Sequence, residues 1–180
     1  IAYFPHDERI LFTSDQGGNE LNHIYVREAD GSTKDLTPGE NLKAQFAGWA
    51  GDLKHFYVAT NERDPQFFDV YRYSAESYER EMIFKNTEGW TPGDISRDGR
   101  WMSIGKTNNN ADSDIFLVDL AADGPEPTLI TAHEGNIQHN SMTFTPDSSA
   151  LLYGSNEDDE FTRVWAYDLD SGEREALIDA

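Results

Sequence analysis

The sequence predicts an all-β protein, a β-propeller built of four four-stranded blades of about 45 residues each. Three observations predict it. An aspartate recurs in turn-like surroundings at Asp7, Asp52, Asp98 and Asp147, in steps of 45, 46 and 49 residues. A β-branched residue followed by an aromatic begins 17 or 18 residues after each aspartate, at Ile24-Tyr25, Val70-Tyr71, Ile115-Phe116 and Val164-Trp165. An apolar pair closes each module, Leu36-Thr37, Ile83-Phe84, Ile130-Thr131 and Leu177-Ile178, at a constant step of 47. The modules run approximately over 1–40, 41–88, 89–135 and 136–180.

Each module decomposes into strands. A first strand precedes the aspartate, around Ala2 to Phe4, Phe46 to Trp49, Gly93 to Ser96 and Met142 to Thr145. The turn follows, as His6-Asp7-Glu8-Arg9, Gly51-Asp52-Leu53-Lys54, Arg97-Asp98-Gly99-Arg100 and Pro146-Asp147-Ser148-Ser149. The second strand is a short apolar run, Ile10 to Thr13, His55 to Val58, Trp101 to Ile104 and Ala150 to Tyr153. These runs are too short for helices, and near-continuous apolarity predicts burial on both faces. Seven residues past the aspartate stand Ser14, Ala59, Gly105 and Gly154, small side chains expected where a neighbouring sheet approaches closely. The third strand carries the β-branched/aromatic pair. Asp30-Gly31, Glu76-Ser77, Asp123-Gly124 and Ser171-Gly172 then turn the chain into a last strand. The one helix-like stretch, Ser74 to Glu81, falls where the other modules have a hairpin, so stacked helical repeats are set aside.

Composition narrows the function. Against 34 acidic side chains stand 14 basic ones, a formal charge of −20, which repels phosphate backbones and anionic headgroups; nucleic acid and membrane surfaces are not expected partners. The longest apolar runs are four or five residues, far below the ~20 that cross a bilayer. Ile1-Ala2-Tyr3-Phe4-Pro5 has no basic start, so no targeting segment is read here. With no cysteine there are no disulfides or thiolate sites, and the compartment, cytoplasmic or periplasmic, stays open. The first residue is not methionine, which we read as processing or a fragment.

The repeat also carries a resemblance. Ser96-Arg97-Asp98-Gly99-Arg100-Trp101 and Thr145-Pro146-Asp147-Ser148 resemble the turn of TolB-like propeller repeats. Leu11-Phe12-Thr13-Ser14-Asp15, with Gly17-Gly18-Asn19-Glu20 and His23-Ile24-Tyr25-Val26, resembles the first blades of prolyl oligopeptidase family serine peptidases. Thr60-Asn61-Glu62-Arg63-Asp64 and Ser113-Asp114-Ile115-Phe116-Leu117 do too. The resemblance implies part of a seven- or eight-bladed propeller capping a Ser-Asp-His active site on an α/β-hydrolase domain. No G-x-S-x-G elbow occurs, so that domain is read as absent from this chain, which is expected to hydrolyse nothing alone. The dipeptidyl-peptidase branch uses an adjacent glutamate pair, and none occurs here, so aminodipeptidase activity is not expected.

Several constellations invite chemistry. His133-Glu134-Gly135-Asn136-Ile137-Gln138-His139 spaces its histidines six apart, whereas a zincin helix needs four; it is read as a loop between blades. Asn108-Asn109-Asn110-Ala111-Asp112-Ser113-Asp114 alternates oxygen side chains but lacks the glycine and distal glutamate of a calcium loop, and is read as a polar connector. Asn156-Glu157-Asp158-Asp159-Glu160 is read as a solvated loop. His6, His23 and His55 have no obvious Ser or Asp partners and are given structural roles. Trp49, Trp101 and Trp165 are assigned to core packing, and Trp90 stays open. No catalytic, cofactor-binding or metal-ligating residue is assigned.

The leading expectation is a non-catalytic propeller segment of a prolyl-oligopeptidase-like serine peptidase, gating peptides to an active site on the missing catalytic domain. The alternative is a stand-alone TolB-like module that binds protein. Modules that begin and end this way leave both terminal blades with an uncovered face, and a homodimer closing the ring would cover them.

Overall fold

The computed structural model describes residues 1–158 and 160–177. Asp159 of the acidic run and Ile178 of the last closing pair lie outside the described residues. Among the described residues sixteen strands form four antiparallel sheets, each with its strands in sequence order. The first sheet holds β1 (Ala2–Tyr3), β2 (Ile10–Ser14), β3 (His23–Arg27) and β4 (Thr33–Asp35). The second holds β5 (Ala44–Trp49), β6 (His55–Asp64), β7 (Phe67–Ser74) and β8 (Arg80–Phe84). The third holds β9 (Thr91–Ile95), β10 (Trp101–Asn109), β11 (Asp112–Asp119) and β12 (Thr128–Leu129), the fourth β13 (His139–Phe144), β14 (Ala150–Ser155), β15 (Arg163–Asp168) and β16 (Arg174–Ala176). This is the all-β blade architecture, and the described residues contain no helix. By its contacts the chain divides into two compact units, Ile1–Gly89 and Trp90–Ala180, of two blades each.

The repeated aspartate has one job in all four blades. Its carboxylate accepts the amide two residues on, from Arg9 (2.9 Å), Lys54 (2.8 Å), Arg100 (3.1 Å) and Ser149 (3.2 Å). That Asx turn satisfies an amide leaving the first strand and aims the chain into the second. Between aspartate and donor the backbone takes positive φ at Leu53 (55°), Gly99 (75°) and Ser148 (58°). In the last two blades a hydroxyl adds a second acceptor: Ser96 takes the Trp101 amide at 2.8 Å, and Thr145 takes the Ala150 amide at 3.0 Å. The Thr145 and Ser149 hydroxyls hold the Asp147 carboxyl below its ordinary range.

Over Ser74 to Glu81 the chain makes the hairpin common to all four modules. Tyr78 stands at φ 60° where its counterparts use Gly31, Gly124 and Gly172, and its amide donates to the Ser74 carbonyl at 3.0 Å.

Within the first unit, Phe4, Leu11, Val26, Phe56, Val58 and Tyr73 are core members drawn from both blades. Phe56 stacks on Tyr73 (centroids 5.2 Å apart) and meets Trp49 edge-on at 5.4 Å. Burying such a phenylalanine contributes about 1.5–3 kcal/mol. In the second unit Ile115, Leu117, Phe144, Leu151, Tyr153 and Trp165 do the same for the third and fourth blades.

Three expectations need correction. Two-sided burial holds along β6, but β2 buries Leu11 while Phe12 is half-covered and Thr13 exposed. At Gly105 and Gly154 the small residue after the turn does not mark close approach of another sheet. A Cβ on Gly105 would meet only Thr91 and Asp114 of its own blade, at 3.9 Å, and one on Gly154 would meet Thr162 and Met142, also of its own blade. The close approach lies at Gly93, where a Cβ would stand 2.5 Å from the Ser103 hydroxyl and 2.9 Å from its carbonyl oxygen. Nor are the closing threonines apolar packers: Thr37 and Thr131 are fully buried, and their hydroxyls accept the Ile24 and Ile115 amides at 3.0 and 2.9 Å.

Candidate functional site

Side chains with chemical potential gather where the second strand of a blade turns into the third. In the second blade Arg63 makes paired hydrogen bonds to the buried Asp69 carboxylate (2.7 and 2.9 Å) and a further one to the Asn86 carbonyl. The Asn86 amide donates to the same carboxylate at 2.7 Å. Arg80 donates to Glu62 (2.9 Å) and to the Tyr73 hydroxyl (3.0 Å), with its guanidinium 4.6 Å over the Tyr71 ring. Burial, with Glu62 beside it, pushes the Tyr71 phenol up to about 12. Each of these charges has its counter-charge, which makes a brace rather than a reactive centre.

The second unit holds the denser cluster. The polar run Asn108–Asp114 is a tight hairpin closing β10 onto β11, with Asn109 paired to Asp112. Asn108 donates to Asp112 (3.3 Å) and Asp114 (2.8 Å), so the run's side chains bond one another within the hairpin. Asp112 and Asp114 also face His133, whose Nε2 lies 3.2 Å from Asp112 and whose Nδ1 lies 3.5 Å from Asp114. That Nδ1–H donates to the Thr131 carbonyl at 2.8 Å. The carbonyl, seconded by Asp112 and Asp114, holds the His133 imidazolium above its ordinary range against the opposing effect of burial. His133 sits in the loop between blades, as expected, whereas His139 opens strand β13.

His139 is the opposite case. It is 2% exposed, neither ring nitrogen has a hydrogen-bond partner, and its ring centroid is 5.0 Å from that of His133. Burial first, then the charges of His133 and Arg174, push it down to about 4. Tyr153 and Trp165 continue the ring series, and burial drives the Tyr153 phenol up to about 12. Ser113, next to both aspartates, is no nucleophile: its hydroxyl donates to the His139 carbonyl and accepts the His139 amide, both at 2.9 Å. Nucleophilic catalysis needs a hydroxyl bonded to an imidazole nitrogen, and this one is bonded to main chain. Among the described residues no group of three or more His, Asp or Glu side chains is arranged to hold a metal ion.

Two of the other three histidines, His23 and His55, have aspartate partners that sequence reading missed. His23 meets Asp35 at 2.7 Å across β3 and β4, and His55 meets Asp52 of its own turn at 2.6 Å. Trp49, Trp101 and Trp165 belong to the cores as expected, and Trp90 packs edge-on against Phe116 at 4.5 Å. Also missed was an asparagine nine residues past the aspartate, Asn61 (61 − 52) and Asn156 (156 − 147). Each accepts the amide just before its blade's first strand, from Lys43 at 2.6 Å and Gln138 at 2.8 Å.

No family model matches the chain. Among curated proteins it is similar to dipeptidyl aminopeptidase BIII of Pseudoxanthomonas mexicana, 26% identical over 190 aligned residues that cover 99% of this chain and 26% of the relative. The resemblance to propeller portions of prolyl oligopeptidase family peptidases read in the sequence is thus matched by a similarity to a curated peptidase. Solved structures agree on the fold. A prolyl endopeptidase superposes with a TM-score of 0.72 at 14% identity, covering 99% of this chain and 28% of its own. TolB from Acinetobacter baumannii gives 0.64 at 18% identity, covering 95% and 41%. The chain thus spans about a quarter of the curated relative. That relative's name states an aminopeptidase activity, and no two adjacent glutamates occur in this chain.

Proposed function

We propose that this chain is the non-catalytic propeller segment of a prolyl-oligopeptidase-like serine peptidase, admitting peptides to an active site carried by a separate hydrolase domain of the same protein. The observation that carries the reading is similarity to a peptidase along nearly the whole chain while only 26% of that peptidase is covered. The chemistry agrees. Ser113, beside His139 and the aspartates of its hairpin, is bonded to main chain, and the sequence has no nucleophile elbow. The test is twofold: assay the 180-residue chain on chromogenic dipeptidyl and prolyl substrates, and read the coding sequence on both sides. Inactivity, together with further modules and a downstream G-x-S-x-G, is the expected result. Turnover by the chain itself, or a coding sequence without a hydrolase domain, overturns it.

The second reading, a TolB-like module that binds protein, is favoured by the TM-score of 0.64 to TolB over 95% of this chain. In that reading the exposed Ile1 and Tyr3 of the first blade and Met142 of the fourth lie on faces that a second copy would cover. A stable monomer in sedimentation equilibrium removes the self-association.

A further inference from the structure

The connection from the third blade to the fourth is gripped from one side. The β10–β11 hairpin holds it through the Ser113 amide to the Ile137 carbonyl (3.0 Å), the Ser113 hydroxyl to the His139 main chain, and the Gln138 side-chain amide to the Asn110 carbonyl (2.8 Å). Into this grip the chain places two histidines of opposite character. One is ringed by oxygen and the other is buried without a ring hydrogen bond. Two imidazoles 5.0 Å apart in a dry site tolerate one positive charge far better than two.

We propose that this junction is a histidine-pair latch: His133, bonded to the Thr131 carbonyl and flanked by Asp112 and Asp114, and the buried His139, whose ring has no hydrogen bond, keep β13 docked on the third blade, and acid releases it. The groups facing the pair come from every surrounding element: Asp112 and Asp114 on β11, Tyr153 on β14, and Arg174 on β16, the last paired with Glu157 at 2.9 Å. Of these, Arg174 reinforces the penalty on a second positive charge, while the two aspartates oppose it without neutralising it.

The signs follow from linkage. His139 is depressed when docked, to about 4 from an ordinary 6.5, so the released form takes up a proton that the docked form refuses. The His139 contribution to docking is therefore complete above 6.5 and weakens as pH falls toward 4, about tenfold per pH unit across that window. His133 is raised, so its contribution is complete below 6.5 and fades as pH climbs through its docked value. The latch is tightest near the ordinary histidine range and loosens on both sides.

The test uses the full chain. Amide exchange at Ser113 and His139, corrected for intrinsic rates, is measured from about pH 7 to about pH 4.5, alongside imidazole resonances followed by NMR. Protection at these two amides should fall about tenfold per unit on acidification, and His139→Phe should abolish that slope. His133→Gln should move the His139 titration upward, because a neighbouring charge is gone. A His139 resonance titrating at its ordinary position, or an unchanged slope in His139→Phe, overturns the proposal. The NMR titration needs no variant, so a His139→Phe chain that fails to fold still leaves it decisive. Peptidase assays play no part in the test, so its outcome is separate from that of the proposed function.

Discussion

Thr131 shows how a single side chain closes a blade. Its buried hydroxyl is the acceptor for the Ile115 amide, and Thr37 does the same for Ile24. Thr131→Val keeps the shape and removes the acceptor, leaving an amide unpaired in a dry site. The expected cost is about 1–3 kcal/mol, read as a lower urea midpoint with an unchanged slope; a midpoint that does not move refutes the assignment. The sequence showed these threonines only as halves of a periodic pair, because in a pattern of apolar positions a threonine methyl counts like that of valine. The repeated aspartates were legible because an Asx turn is local chemistry. The His23–Asp35 contact was not, since it depends on which residues two strands bring side by side. His55 lies three residues from Asp52, within reach of a turn, and a turn-by-turn search would have found it.

At the scale of elements, strand existence was read well and strand ends poorly. The apolar run at 55–58 became a strand reaching Asp64, and that at 101–104 one reaching Asn109. In both cases polar residues extend the ladder into a tight hairpin, where cross-strand hydrogen bonds rather than apolar burial hold the pairing. The first strands of the second, third and fourth blades each break register once, near Phe46/Gly48, Pro92/Ile95 and Ser141/Thr143. Such bulges leave no periodic trace in sequence. The turns offer an element-level test. Leu53 holds a left-handed backbone at φ 55° and is 39% exposed, so Leu53→Gly relieves backbone strain at the cost of only part of a side chain's packing. The expected gain is of order 1 kcal/mol, seen as a higher melting temperature; a lower one would show that the leucine side chain contributes more than its backbone costs.

Across the whole molecule, charge outweighs any single contact. A chain at −20 repels itself, and its described ion pairs offset only part of the excess. Raising sodium chloride from about 0.01 to about 0.15 M shortens the Debye length to ~8 Å and should raise the melting temperature. A fall would mean that the ion pairs outweigh the repulsion. Fold class was legible at this scale because a repeat multiplies every weak signal by four. The histidine cluster was not, because His133 and His139 are separated in sequence from Asp112 and Asp114, and only the docking of a hairpin on the next connection brings them together.

The two kinds of backbone cap alternate along the chain. Blades one and three close with a buried threonine, and blades two and four hook their entrance with an asparagine. The chemical period is therefore twice the structural one. A gene of this design that lengthens by duplication keeps its caps in phase only when it copies blades in pairs.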